Sequence, residues 1–120
     1  MLLKTKHLPR YTLKDYEKWQ GDWELVEGIP YALASPSLTH QRIVGILFLI
    51  FQLQLEEEEK CRDCVVTIDT DYIVAEDTVF RPDIAVVCSN KGEKITETPE
   101  LIVEVVSPAS RKMDEEIKPL

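Results

Sequence analysis

The stretch "ELIVEVVSP", residues 100–108, sets an acid inside an apolar run. Leu101, Ile102, Val103, Val105 and Val106 are aliphatic and mostly β-branched, which suits a pleated, buried strand. Glu104 in their midst must be exposed, neutralised or matched with a cation, because an unpaired buried carboxylate is costly. A second apolar run, "RPDIAVVCS" at 81–89, also opens on an acid, Asp83. Strand side chains alternate faces, so Glu104 shares a face with Ile102 and Val106, and Asp83 one with Ala85 and Val87. If the two strands are neighbours, both carboxylates point to one spot at the sheet edge. Paired carboxylates repel unless a cation lies between them. Such oxygen ligands suit Mg²⁺ or Mn²⁺, with room left for water and a substrate phosphate. The plainer alternatives are that Asp83 caps a turn after Pro82 and that Glu104 faces solvent or pairs with Arg81.

Around these strands the pattern alternates between helix and strand. "TLKDYEKW" (12–19) reads as a short helix with Thr12 as N-cap, Asp15 completing a capping box and Gly21 ending it. "WELVEG" (23–28) and "IPYALAS" (29–35) read as two strands joined at Glu27-Gly28. A helix follows, capped by Ser37 or Thr39, and "IVGILFLIF" (43–51) within it is apolar at so many positions that burial around most of its circumference is expected. It runs into the solvated glutamates of "EEEEK" (56–60). "CVVTIDTDYIVAEDTVF" (64–80) reads as a strand pair turning near Ala75-Glu76-Asp77, and a last helix starts at Ser107 or Ser110. This order implies one α/β domain over residues 1–120, a sheet flanked by helices.

The totals narrow the function. A net charge of −8 argues against a non-specific nucleic-acid binder with a basic stripe, but not against an enzyme that meets phosphate through metal ions. The N-terminus lacks the apolar core of a signal peptide, and the nine residues 43–51 fall short of the ~20 that span a bilayer, so a cytoplasmic protein without membrane contact is expected. Three cysteines do not suggest a disulfide framework. "CRDC" (61–64) lacks the further ligands that zinc needs, and Cys88 reads as a small hydrophobe. No glycine-rich phosphate loop and no serine-hydrolase elbow occurs.

"YTLKDYEKW", "WELVEGIPYALASPSLTHQRIVG", "TVFRPDIAVV" and "PELIVEVVSPASRKMDEEIK", in this order and spacing, resemble the PD-(D/E)XK nuclease superfamily, and within it a bacterial restriction endonuclease-like family. The resemblance implies a restriction-endonuclease-like mixed sheet flanked by helices and Mg²⁺- or Mn²⁺-dependent hydrolysis of phosphodiester bonds, in DNA rather than RNA. It implies Asp83 and Glu104 as metal ligands, with Glu24 of "WELVEG" as the third. His40 falls on the family's histidine, placed to contact a phosphate or orient the site. The superfamily lysine belongs two residues after the acid, where this chain has Val106. In this branch it looks moved to the following helix, onto Lys118 in Asp114-x-x-x-Lys118, from where it would orient water or offset developing charge. The resemblance also implies a fold cut short at its C-terminal end, and a homodimer that would set two sites against a duplex. The rival expectation is a non-catalytic binding or regulatory module, or a remnant, derived from a nuclease.

Overall fold

In a computed structural model the chain is described over residues 9–58 and 63–106. Helix α1 is a single turn, Leu13–Tyr16, started as expected by Thr12 and Asp15, whose side chain accepts from the Thr12 amide at 2.9 Å. Strands β1 (Trp23–Val26) and β2 (Ile29–Ala32) form a hairpin. Glu27 and Gly28 both adopt positive φ, 49° and 83°, the backbone a two-residue hairpin turn requires. Helix α2 runs Leu38–Glu57, with Ser37 as N-cap accepting from the His40 amide.

The run 64–80 divides into three strands where two are expected: β3 (Cys64–Ile68), β4 (Tyr72–Ala75) and β5 (Thr78–Phe80). The extra break falls at Asp69, whose φ of 51° takes the chain out of extended geometry. Strands β6 (Ile84–Cys88) and β7 (Leu101–Val103) complete the described elements.

The expected α/β class holds, with the described strands shared between two antiparallel sheets, ordered β2-β1-β5-β4 and β3-β6-β7. The first buries Leu25 against Val79, its register partner. The second packs one face on α2, where Val44 meets Val66, Ile84 and Val86, with Leu47, Phe48, Phe51 and Leu55 closing around them. On its other face Ala85 and Val87 pack with Ile95 and Tyr72.

Two expectations are corrected here. Burial of α2 around most of its circumference does not occur: among its residues only Val44 is buried, while Ile46, Leu49 and Leu53 are half exposed. The apolar run is also only the middle of a 20-residue helix, long and apolar enough to cross a membrane by length and composition alone. The cysteines do form a disulfide, Cys64–Cys88. The β3–β6 register sets these two residues directly opposite each other, a proximity that their separation of 24 in sequence does not reveal. Closing a loop of that length stabilises by about 3 kcal/mol.

Candidate active site

Pro82 and Asp83 form the approach to β6. Pro82 is buried just before the strand, where its missing N–H costs no ladder bond. The β6–β7 register pairs Ile84 with Val103 and Ala85 with Ile102. Carried one residue further, it sets Asp83 beside Glu104, just past the end of β7. The condition set in the sequence reading, that the two strands are neighbours, is met, with each acid just outside the end of its strand.

Asp83 is tied from two directions. Its Oδ2 accepts from the Val105 amide at 2.7 Å and lies 3.1 Å from His40 Nε2. His40 sits in the first turn of α2, held there by the Ser37 cap, so the N-terminus of α2 and the start of β6 meet at this point. The other ring nitrogen, Nδ1, lies 2.9 Å from Gln41 Oε1. Both nitrogens thus face oxygens, so a protonated ring can donate from each of them. Burial works against that charge, yet the Gln41 contact and the charge and hydrogen bond of Asp83 outweigh it. The His40 pKa is raised above its ordinary 6.5.

A second charged group adjoins the first through the Arg81-Pro82-Asp83 backbone. Arg81 Nη1 donates to Asp22 Oδ1 and Nη2 to Asp69 Oδ2, both at 2.8 Å, and its Nε lies 3.4 Å from Asp71 Oδ1. Lys94 Nζ reaches the other oxygen of Asp71 at 2.7 Å, and the Tyr16 hydroxyl donates to Asp71 Oδ1. Burial, with Asp71 adding to it, pushes the Tyr16 pKa far up, so it stays a donor. Burial also raises Asp69 despite the opposing pull of Arg81. The Asp69 amide donates to the Asp83 carbonyl, joining the groups. A cleft of about 640 Å³ opens beside them, lined by Tyr16, Trp19, Trp23, Asp69, Asp71 and Lys94 among others.

Glu24 belongs to this second group. It lies on β1, is 1% exposed, and its Oε2 accepts from the Arg81 amide at 2.8 Å. It therefore fixes the segment leading into Asp83. Among the described residues no three His, Cys, Asp or Glu side chains come together to hold a metal ion, so Glu24, Asp83 and Glu104 do not meet as one cluster. Asp83 and Glu104 are carboxylates, hard oxygen donors of the kind Mg²⁺ takes. Asp114 and Lys118 lie outside the described residues.

The profile of the Uma2 family, described as "putative restriction endonuclease", matches residues 13–119. The chain belongs to the Uma2 family. No curated protein matches it. The Uma2 match spans Glu24, His40, Asp83, Glu104 and Lys118, and the family's description is that of a nuclease, a hydrolase of nucleic acid. Sequence reasoning missed Asp22, Asp69, Asp71 and Tyr16. Their signal was weak: each is a polar residue at a strand margin or in a short helix, and only the fold draws the three acids onto Arg81 and Tyr16 onto Asp71.

Proposed function

We propose that this Uma2 chain is an endonuclease that cleaves DNA with Mg²⁺ or Mn²⁺ held by Asp83 and Glu104. The observation that supports the reading is the β6–β7 register, whose extension by one residue makes Asp83 and Glu104 neighbours, with His40 against Asp83. A cation held there would polarise the phosphate and acidify a bound water. The chain's own residues do the positioning. The Val105 amide and His40 fix the Asp83 carboxylate, Glu24 fixes the backbone before it through the Arg81 amide, and His40, when protonated, would add positive charge beside the site. Lys118, inside the family match, is the second source of such charge in this reading. For a chain of net charge −8, a cation held by Asp83 and Glu104 would also offset the repulsion between an acidic surface and the DNA phosphate.

One observation favours a second reading, a nuclease-derived module that binds without cleaving: Asp83 Oδ2 already engages His40 and an amide, as a structural carboxylate would. Calorimetric titration of Mn²⁺ into the wild-type chain and Asp83→Asn, both shown folded by circular dichroism, separates the two. Binding by wild type alone, with Mn²⁺-dependent nicking of plasmid DNA, is the expected result. Two folded proteins that both fail to bind would leave the second reading standing.

A further inference from the structure

Helix α2 carries two apolar stripes on opposite sides. Val44, Leu47, Phe48, Phe51 and Leu55 face the β3-β6-β7 sheet. Ile43, Ile46, Ile50 and Leu53 follow a 3-4-3 spacing about half a turn away, with Leu49 beside them, and these five are 41–56% exposed. A 3-4-3 spacing is that of positions a and d in a helix-pairing seam. The stripe is too long and regular for scattered surface apolar residues, which need no explanation.

The charges on α2 say what covers the stripe. Its first turn holds no acid and its last turn no base. Arg42 instead lies near the N-terminal end, and Glu56 and Glu57 lie at the C-terminal end, each opposing the dipole of its own helix. Arg42, Leu49 and Glu56 are seven residues apart and line one flank of the stripe. When a second α2 packs antiparallel on this stripe, Ile43 meets Leu53 of the second copy, Ile46 meets its Ile50, and the two Leu49 side chains meet at the axis. Arg42 then lies against Glu56 of the second copy, and each helix end meets the opposite end of its neighbour. The misplaced charges of one helix become the complement of another. We infer that the exposed stripe of α2 is the contact face of a twofold antiparallel dimer of this chain.

The face is small. A 20-residue helix is ~30 Å long and ~10 Å wide, and presents less than the ~800 Å² per partner of a standard interface. The dimer should therefore form at micromolar concentration and dissociate on dilution. A lipid surface is the other medium for an apolar helix, but α2 would have to leave the core it forms with Val66, Ile84 and Val86, and Arg42, Gln52 and Gln54 interrupt its length.

Sedimentation equilibrium of the full chain at micromolar concentrations tests this, with a denaturing gel to exclude covalent cross-links and flotation with neutral phosphatidylcholine vesicles in parallel. The expected result is a mass rising with concentration above the 13.8 kDa monomer. Leu49→Glu should return a monomer with an unchanged circular dichroism spectrum. Arg42→Glu should weaken association roughly tenfold, since two symmetric ion pairs turn repulsive, and Arg42→Glu with Glu56→Arg should restore it. A wild-type chain that stays monomeric, floats with the vesicles as a monomer, or keeps its self-association in Leu49→Glu would overturn the inference.

Discussion

Around Arg81 the carboxylates are closely held: Asp22 and Asp69 on the guanidinium, Asp71 between Arg81, Lys94 and Tyr16, and Glu24 on a backbone amide. Two residues further on, Asp83 is held by one imidazole and one amide, with Glu104 across the ladder. The first arrangement balances acids with cations of its own chain and locks loops from both sheets together. The second sets Asp83 against a histidine, a cation whose charge depends on pH. In the proposed reading, the ion-paired group around Arg81 would keep the backbone on either side of Asp83 rigid.

That contrast predicts that substitutions in the two groups fail in different ways. The largest effect belongs to Asp83→Asn, with cleavage falling roughly a thousandfold, as expected when a metal's several kcal/mol of transition-state stabilisation is lost. Measured above the His40 titration, where that pair no longer contributes, its urea midpoint should change little. Arg81→Met should do the reverse. It keeps the apolar stem but leaves Asp71 and its neighbours short of a cation, at a cost of about 2 kcal/mol. That lies below the range for a fully buried pair, because Asp22 and Asp69 are largely exposed. Urea unfolding checks this, and equal stability of the two proteins would break the comparison.

A smaller effect should come from Ser37→Ala. Loss of the cap costs about 1 kcal/mol and frees the turn that carries His40, which calorimetry would read as a melting midpoint lower by a few degrees. The finest test is the titration of His40 itself by NMR. Its folded pKa lies above the unfolded value, so the stability it contributes is complete below the ordinary imidazole range and is lost as pH rises through the folded pKa. In Asp83→Asn the titration should move back toward 6.5 and the pH dependence of stability should flatten.

Local chemistry explains which parts of the fold were legible. Glu27-Gly28 marks the hairpin, Ser37 marks the start of α2, and Pro82 marks the approach to β6, each through a backbone preference carried by one or two residues. Asp83 and Glu104 were legible because acids stand out in apolar strands. What could not be read depends on how distant segments meet. Nothing near Asp22, Asp69 or Asp71 in sequence points to Arg81, and the pairing of Cys64 with Cys88 follows only from the β3–β6 register. The apolar composition of α2 looked like burial because the two stripes are adjacent in sequence, although they lie on opposite sides of the helix.

The Cys64–Cys88 bridge encloses in one covalent ring all of β4 and β5 together with Asp69, Asp71, Arg81 and Asp83. A protease that nicks the exposed Glu76-Asp77 turn would therefore leave both fragments of the chain attached at the mouth of the β3–β6 ladder. On a non-reducing gel such a protein would still run as one piece, and only a thiol reductant would separate the half carrying His40 from the half carrying Asp83.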